Sequence, residues 1–133
     1  MGEARVRWVG GRTFIGVDST QHAVLMSSRE EGIGMKASEL LLVALATCSS
    51  FDVVSILEKK KINLKKLEVY ASGEQQAEPP WPFTSIHLKY VLAGEGLTEE
   101  IAVKAIELSE SKYCSVAATV RGVAEITWDC VLE

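Results

Sequence analysis

Apolar and polar positions alternate along the first part of the chain. In "EARVRWV", Ala4, Val6 and Trp8 fall on one side and Arg5 and Arg7 on the other, which predicts a strand. Gly10-Gly11 predicts a turn, and "RTFIGVD" and "HAVLM" predict two more short strands, giving an antiparallel meander. The polar, glycine-containing "SSREEGIGMKAS" reads as a connection. After it the period changes: "ELLLVALATCSSFDVVSILEKKK" has no Gly or Pro and ends in lysines suited to a helix C-terminus, so it predicts one long helix. Its first half, Leu40 to Leu45, is apolar nearly all round, the mark of a helix covered on most sides.

Alternation returns in "LKKLEVYASGEQ" and "FTSIHLKYVLAGEG", two strands flanking the breaker "AEPPWP", the second with Ile86, Leu88, Tyr90 and Leu92 on one face. "TEEIAVKAIELSESKY" opens on a capping Thr98 with two glutamates behind it and predicts a second helix. "CSVAATVRG" predicts a short third helix ending at Gly122. "VAEITWDCVLE" predicts a last strand with Ala124, Ile126, Trp128, Cys130 and Leu132 on one face. Strands, long helix, strands, helices and strand in that order make an α+β fold. At 133 residues it is expected as a single domain over 1–133 with its own core.

Charge narrows the function classes. The net charge is −4 and the basic residues are scattered or held in the short "EKKKINLKK" run, so no phosphate-tracking stripe for nucleic acid is expected. The N-terminus lacks the basic-then-apolar order of a secretory signal. The apolar run around residues 40–48 is too short to span a bilayer, and Val6 stands where a myristoylation motif needs Ser or Thr. A soluble, cytoplasmic protein with no membrane partner is the expectation. Cys48, Cys114 and Cys130 form neither a CxxC nor a zinc-like cluster, and His22 and His87 add no ligand spacing, so no metal site is expected.

Two readings of Cys48 stand side by side. On a helix its near neighbours are Ala44, Leu45, Phe51 and Asp52, so it is either a small core residue or a thiol in a pocket suited to an apolar substrate. A mid-helix cysteine gains little from the dipole, and Asp52 one turn on would oppose ionisation if it faced the sulfur. A basic partner is therefore expected from elsewhere, with Arg5, Arg7, Arg12, Arg29 and Arg121 all open. Cys114 falls at a break between helical segments, where free N–H groups favour a thiolate, or else it is a semi-exposed thiol at a helix junction. Cys130 reads as core, His87 as a solvated strand residue, and Glu39 as a first-turn carboxylate.

The segments "ASELLLVALATCSSFDVVSIL" and "SKYCSVAATV" together resemble the two cysteine segments of the OsmC/Ohr family, nearest to its YhfA-like branch, and the order of elements is similar over essentially the whole chain. The resemblance implies an OsmC-like fold with antiparallel sheets packed around a long central helix, in an intertwined homodimer with sites near the subunit interface. It implies a cysteine-based peroxidase for organic hydroperoxides in oxidative stress defence, with Cys48 as the attacking thiol and Cys114 as the resolving one. An external dithiol, lipoyl-type among the options, would be the reductant, and no metal or flavin cofactor is required. Arg12 in "GGRTF" matches the arginine that the Ohr branch places after a glycine-rich turn. The glutamate expected ten residues before the cysteine is replaced by Ser38, with Glu39 one position later. If the helix includes that turn, nine residues at about 100° each put Glu39 on the face opposite Cys48 and roughly 13 Å along the axis. A non-catalytic dimer binding a hydrophobic small molecule and a thiol redox sensor are the competing readings.

Overall fold

The computed structural model describes residues 2–133, which form two compact units, the first running to Leu41 and the second from Leu42 to Glu133. The first unit holds the expected meander: β1 (Ala4–Gly10), β2 (Thr13–Asp18) and β3 (Ala23–Ser27), antiparallel in the order β1-β2-β3. Gly10 and Gly11 both have positive φ, +118° and +51°, which ordinary side chains avoid, and this is what makes the tight turn between β1 and β2. The meander is thinly covered, for Val6 and Trp8 on the apolar side of β1 are both exposed.

Helix α1 (Ala37–Lys59) starts two residues before the expected Glu39 and is 23 residues long. The apolar run around residues 40–48 is therefore only part of it. The full helix is long and apolar enough to cross a membrane, contrary to what the shorter run predicts. Its buried residues Leu42, Leu45, Ser49, Val53 and Leu57 nevertheless recur at helical spacing and make one stripe, as in the core helix of a soluble protein. Exposed Val43 and Phe51 lie outside that stripe, so the chain by itself does not cover α1 on most sides.

The second sheet has the order β4-β5-β6, built from β4 (Asn63–Gln75), β5 (Phe83–Glu95) and β6 (Glu125–Leu132). β4 and β5 pair antiparallel, while β5 and β6 run parallel, which corrects the expectation of purely antiparallel sheets. The physical reason is the connection. Helices α2 (Glu99–Leu108) and α3 (Ser115–Val120) return the chain to the start of the sheet before β6 begins, and such a crossover brings a strand in parallel. All four residues named for the inner face of β5 are fully or almost fully buried. They pack with the α1 stripe and with Ala105 and Ile106 of α2 in one core. On β6, Ile126, Trp128 and Cys130 are half-buried and pack against the core from its edge.

The helix expected to run from Thr98 to Tyr113 changes character midway. Thr98 does cap α2, its Oγ1 accepting from the Ile101 N–H at 3.2 Å. Beyond Leu108, however, the chain widens into a π-helical turn, Ser109–Tyr113. π turns cluster at functional sites because they displace side chains from the regular helical positions. Here the turn brings Ser109 and Glu110 inward and ends at Cys114, whose N–H donates to the Ser109 carbonyl at 2.8 Å. α3 ends at Val120, two residues short of Gly122.

Candidate functional site: a cysteine pair at a helix N-terminus

Cys48 and Cys114, 66 residues apart in sequence, meet where the middle of α1 faces the start of α3. Cys114 is the N-cap of α3 and its sulfur accepts the Ala117 N–H at 3.3 Å. It is buried, 3% exposed, which excludes the semi-exposed junction thiol. Cys48 is half-buried and lies 3.9 Å from the Ser115 hydroxyl.

The two thiols ionise differently, and in the opposite sense to the sequence expectation. Burial pushes Cys114 up to about 12, more than the Ala117 N–H can offset, and the neighbouring Cys48 sulfur and the Glu110 carboxylate raise it further. Burial also opposes ionisation of Cys48, but there it is outweighed. The backbone N–H of Val116, the Cys114 S–H and the hydroxyl and N–H of Ser115 together hold Cys48 below the ordinary thiol value. The first turn of α3 thus supplies, to a cysteine on another helix, the donors that the sequence assigned to Cys114. No arginine is needed for this, and Arg121, the candidate in the same unit, donates from Nη2 to the Glu110 carbonyl. Asp52 turns its Oδ2 to the Ser109 hydroxyl, 3.0 Å away, whose proton it shares with the Ser49 carbonyl.

Beneath the pair runs a buried polar chain that the sequence reading missed. Ser49 and Tyr90 are hydrogen-bonded through their hydroxyls, and the Tyr90 hydroxyl donates to Glu110 Oε1 at 3.0 Å. Ser109 donates to the Ser49 carbonyl at 3.1 Å. These bonds tie α1, β5 and the π turn together one residue after Cys48 and four residues before Cys114. Among the described residues no buried side-chain polar atom is left without a partner. Burial and the Glu110 charge both push the Tyr90 phenol upward, so it stays protonated and serves as a donor.

The remaining predicted residues fall as follows. Arg12 stands at the β1–β2 turn, and its backbone N–H donates to Glu31 Oε1 at 2.8 Å. The Thr13 hydroxyl and this N–H hold the Glu31 carboxyl below the usual range. Glu39 occupies the first turn of α1, as the dipole favours, and helix α1 does include that turn. His87 is more than a solvated strand residue. The parallel register sets Thr127 opposite it, and its ring nitrogens bond Thr127 Oγ1 at 2.7 Å and Asp129 Oδ1 at 2.5 Å. Among the described residues no group of three or more His, Cys, Asp or Glu side chains is arranged to hold a metal ion.

The arrangement is suited to thiol chemistry: a half-buried thiol whose ionisation is favoured, a buried thiol beside it that holds its proton, and donors that persist when the sulfur changes charge. Comparison with known proteins agrees with the family resemblance. Residues 30–129 match the family model described as OsmC-like protein. The chain is 37% identical over 125 residues to Protein YhfA of Escherichia coli (strain K12), covering 94% of this chain and 93% of that one. A crystal structure of a hypothetical protein from Aquifex aeolicus VF5 superposes with a TM-score of 0.85 at 30% identity, covering 100% of this chain and 98% of that one. The organic hydroperoxide resistance protein OhrB of Bacillus subtilis shares the fold, with a TM-score of 0.65 at 15% identity over 98% of each chain. The chain belongs to the OsmC-like family.

Proposed function

We propose that this protein is a two-cysteine peroxidase that reduces organic hydroperoxides. The observation that carries the reading is the placement of two thiols together at the start of α3, Cys114 capping it and Cys48 3.9 Å from the Ser115 hydroxyl, so that the α3 donors hold Cys48 low while burial holds Cys114 high. The Cys48 thiolate attacks the O–O bond of ROOH. That bond breaks, RO⁻ leaves and takes a proton to become the alcohol, and the sulfur becomes a sulfenic acid. The Cys114 thiol then condenses with Cys48–SOH, forming the S–S bond and releasing water. An external dithiol, lipoyl-type among the candidates, attacks the disulfide, restores both thiols and leaves as its own disulfide.

The fold likeness to a protein titled for organic hydroperoxide resistance supports this reading, as does family membership. The exposed apolar residues Val43 and Phe51 of α1 support a homodimer that covers them. A soluble, cytoplasmic setting keeps all three cysteines reduced between turnovers.

Steady-state consumption of cumene hydroperoxide with a lipoyl-type dithiol tests the proposal. Wild type turns over, Cys48→Ser is inactive, and Cys114→Ser stalls or overoxidises. A folded, reduced wild type that consumes no peroxide refutes it.

A further inference from the structure

The buried network holds one ionisable group that the thiol chemistry leaves unused, the carboxyl of Glu110. Glu110 is buried on the π turn, four residues before Cys114. The backbone there is fixed, since the Cys114 N–H donates to the Ser109 carbonyl at 2.8 Å and Arg121 donates from Nη2 to the Glu110 carbonyl. The Tyr90 hydroxyl donates to Glu110 Oε1 at 3.0 Å and leaves Oε2 to another donor. The Glu110 charge bears on both the Cys114 sulfur and the Tyr90 phenol, and the sulfur bears on the phenol, so carboxylate, phenol and thiol share one neighbourhood.

Disulfide formation needs such a group. Cys114 must give up its proton to bond with Cys48, yet burial pushes that thiol up to about 12, so at neutral pH only about one molecule in 10⁵ carries the thiolate. The other charged or titratable groups around it are poorly suited to take the proton. On α1, Cys48 is the reaction partner and Asp52 is turned to the Ser109 hydroxyl. On β5, Tyr90 is itself a donor, and Arg121 after α3 is a cation. Glu107 on α2 is exposed. Glu110 faces two ways: besides joining the network, it lines an open pocket of about 540 Å³ with Glu107, Ser111, Arg121 and Trp128, which gives a proton a route to solvent.

We infer that Glu110 is the base of the resolving step, a role that rests on the two-cysteine reading. Its carboxylate takes the Cys114 proton as the Cys114 sulfur bonds to the sulfur of Cys48–SOH. The S–O bond breaks, its electron pair leaves with the oxygen as hydroxide, and the hydroxide recovers the proton from Glu110 as water. The thiol is oxidised, the sulfenic sulfur is reduced, and Glu110 ends as it began. Tyr90, donating to Oε1, holds the carboxyl in place throughout.

A mixed disulfide isolates this step from peroxide chemistry. Dithiodipyridine added to the reduced Cys130→Ala protein modifies Cys48 and releases one thiopyridone, and attack of Cys114 on the Cys48 sulfur then releases a second, whose absorbance reads the resolving step. In this parent the second phase is expected to be nearly level from about pH 7 to about pH 9. A tenfold rise per pH unit, the dependence of an unassisted thiol at about 12, overturns the assignment without any change at Glu110. Glu110→Gln keeps an oxygen acceptor for Tyr90 and removes the base, so the second phase should slow by about a hundredfold and acquire the tenfold rise. Loss of the Glu110 charge alone would make Cys114 easier to ionise, so a purely electrostatic or structural role predicts a second phase that is faster or unchanged, and either result refutes the proposal. Consumption of cumene hydroperoxide is the separate arm. A second phase that depends on Glu110, without peroxide consumption, defeats the peroxidase reading and keeps the base. Peroxide consumption with a second phase that Glu110→Gln does not slow defeats the base alone, and the absence of any second phase defeats both.

Discussion

Replacing Tyr90 by Phe removes one oxygen from the centre of the core and nothing else. The ring is fully buried and meets Trp128 edge-on, with centroids 6.4 Å apart at 88°, a contact that Phe preserves without opening a cavity. What is lost is the donor to Glu110 Oε1 at 3.0 Å and the partner of the Ser49 hydroxyl. A hydrogen bond to a carboxylate contributes about 1.5–3 kcal/mol and one between neutral groups about 1 kcal/mol. Ser49 keeps Ser109, 3.1 Å away, so its share falls at the lower end. Glu110 is only 8% exposed and has little access to replacement water. The sum is a destabilisation of about 2–3.5 kcal/mol, which urea unfolding of the reduced protein should show as a midpoint lower by roughly 1–2 M with an unchanged slope. Tyr70→Phe is the control, since the Tyr70 hydroxyl also donates to a glutamate, Glu68, at 2.6 Å but on an exposed surface, and its loss should leave the urea midpoint essentially unmoved. If Tyr90→Phe costs no more than the control, the chain Ser49–Tyr90–Glu110 does not hold α1, β5 and the π turn together.

Other consequences follow from the site. Alkylation of Cys48 should show a pH midpoint below the ordinary thiol value of about 8.5, and Ser115→Ala should move it upward by removing one donor while leaving the α3 N–H groups in place. Cys114 gives the opposite dependence in stability. Above about pH 8.5 the unfolded chain releases this proton, while the folded one, with the thiol pushed up to about 12, keeps it. The folded state then binds more protons, so stability falls as pH rises through that window, by up to about 1.4 kcal/mol per pH unit. Cys114→Ala should flatten the decline between pH 8.5 and pH 10 relative to wild type, as read by urea unfolding, and an unaltered slope would contradict the burial of that thiol. Thr98→Ala removes the side-chain acceptor of the Ile101 N–H and should cost about 1 kcal/mol by the same assay.

How much of this was legible in the sequence differs between elements. Period-two alternation located β5 and β6, each of which turns one face to the core, and also β1, whose apolar face is exposed. The parallel entry of β6 was not legible, since alternation reports which face is buried and says nothing of strand direction. Helix α2 was marked by its Thr98 cap, but the π turn after Leu108 carries no breaker, as "SESKY" continues the helical composition. The cysteine pair was visible only through its resemblance to known segments. Spacing along one chain places a residue on a face of its own helix, whereas the donors acting on Cys48 come from α3. The buried network did leave a trace: Ser49 interrupts the stripe Leu42, Leu45, Val53, Leu57, and Tyr90 sits among aliphatic residues on the inner face of β5. A polar group at a core position needs a buried partner, so each implied the other.

The most direct test of the account is the mass of the protein after a single equivalent of cumene hydroperoxide, measured with and without a sulfenic acid trap. The account predicts a Cys48–Cys114 disulfide in wild type, a trapped sulfenic acid on Cys48 in Cys114→Ser, and no oxidation of Cys48→Ser. Oxidation confined to Cys130, or a reduced wild type that the peroxide leaves untouched, would contradict it.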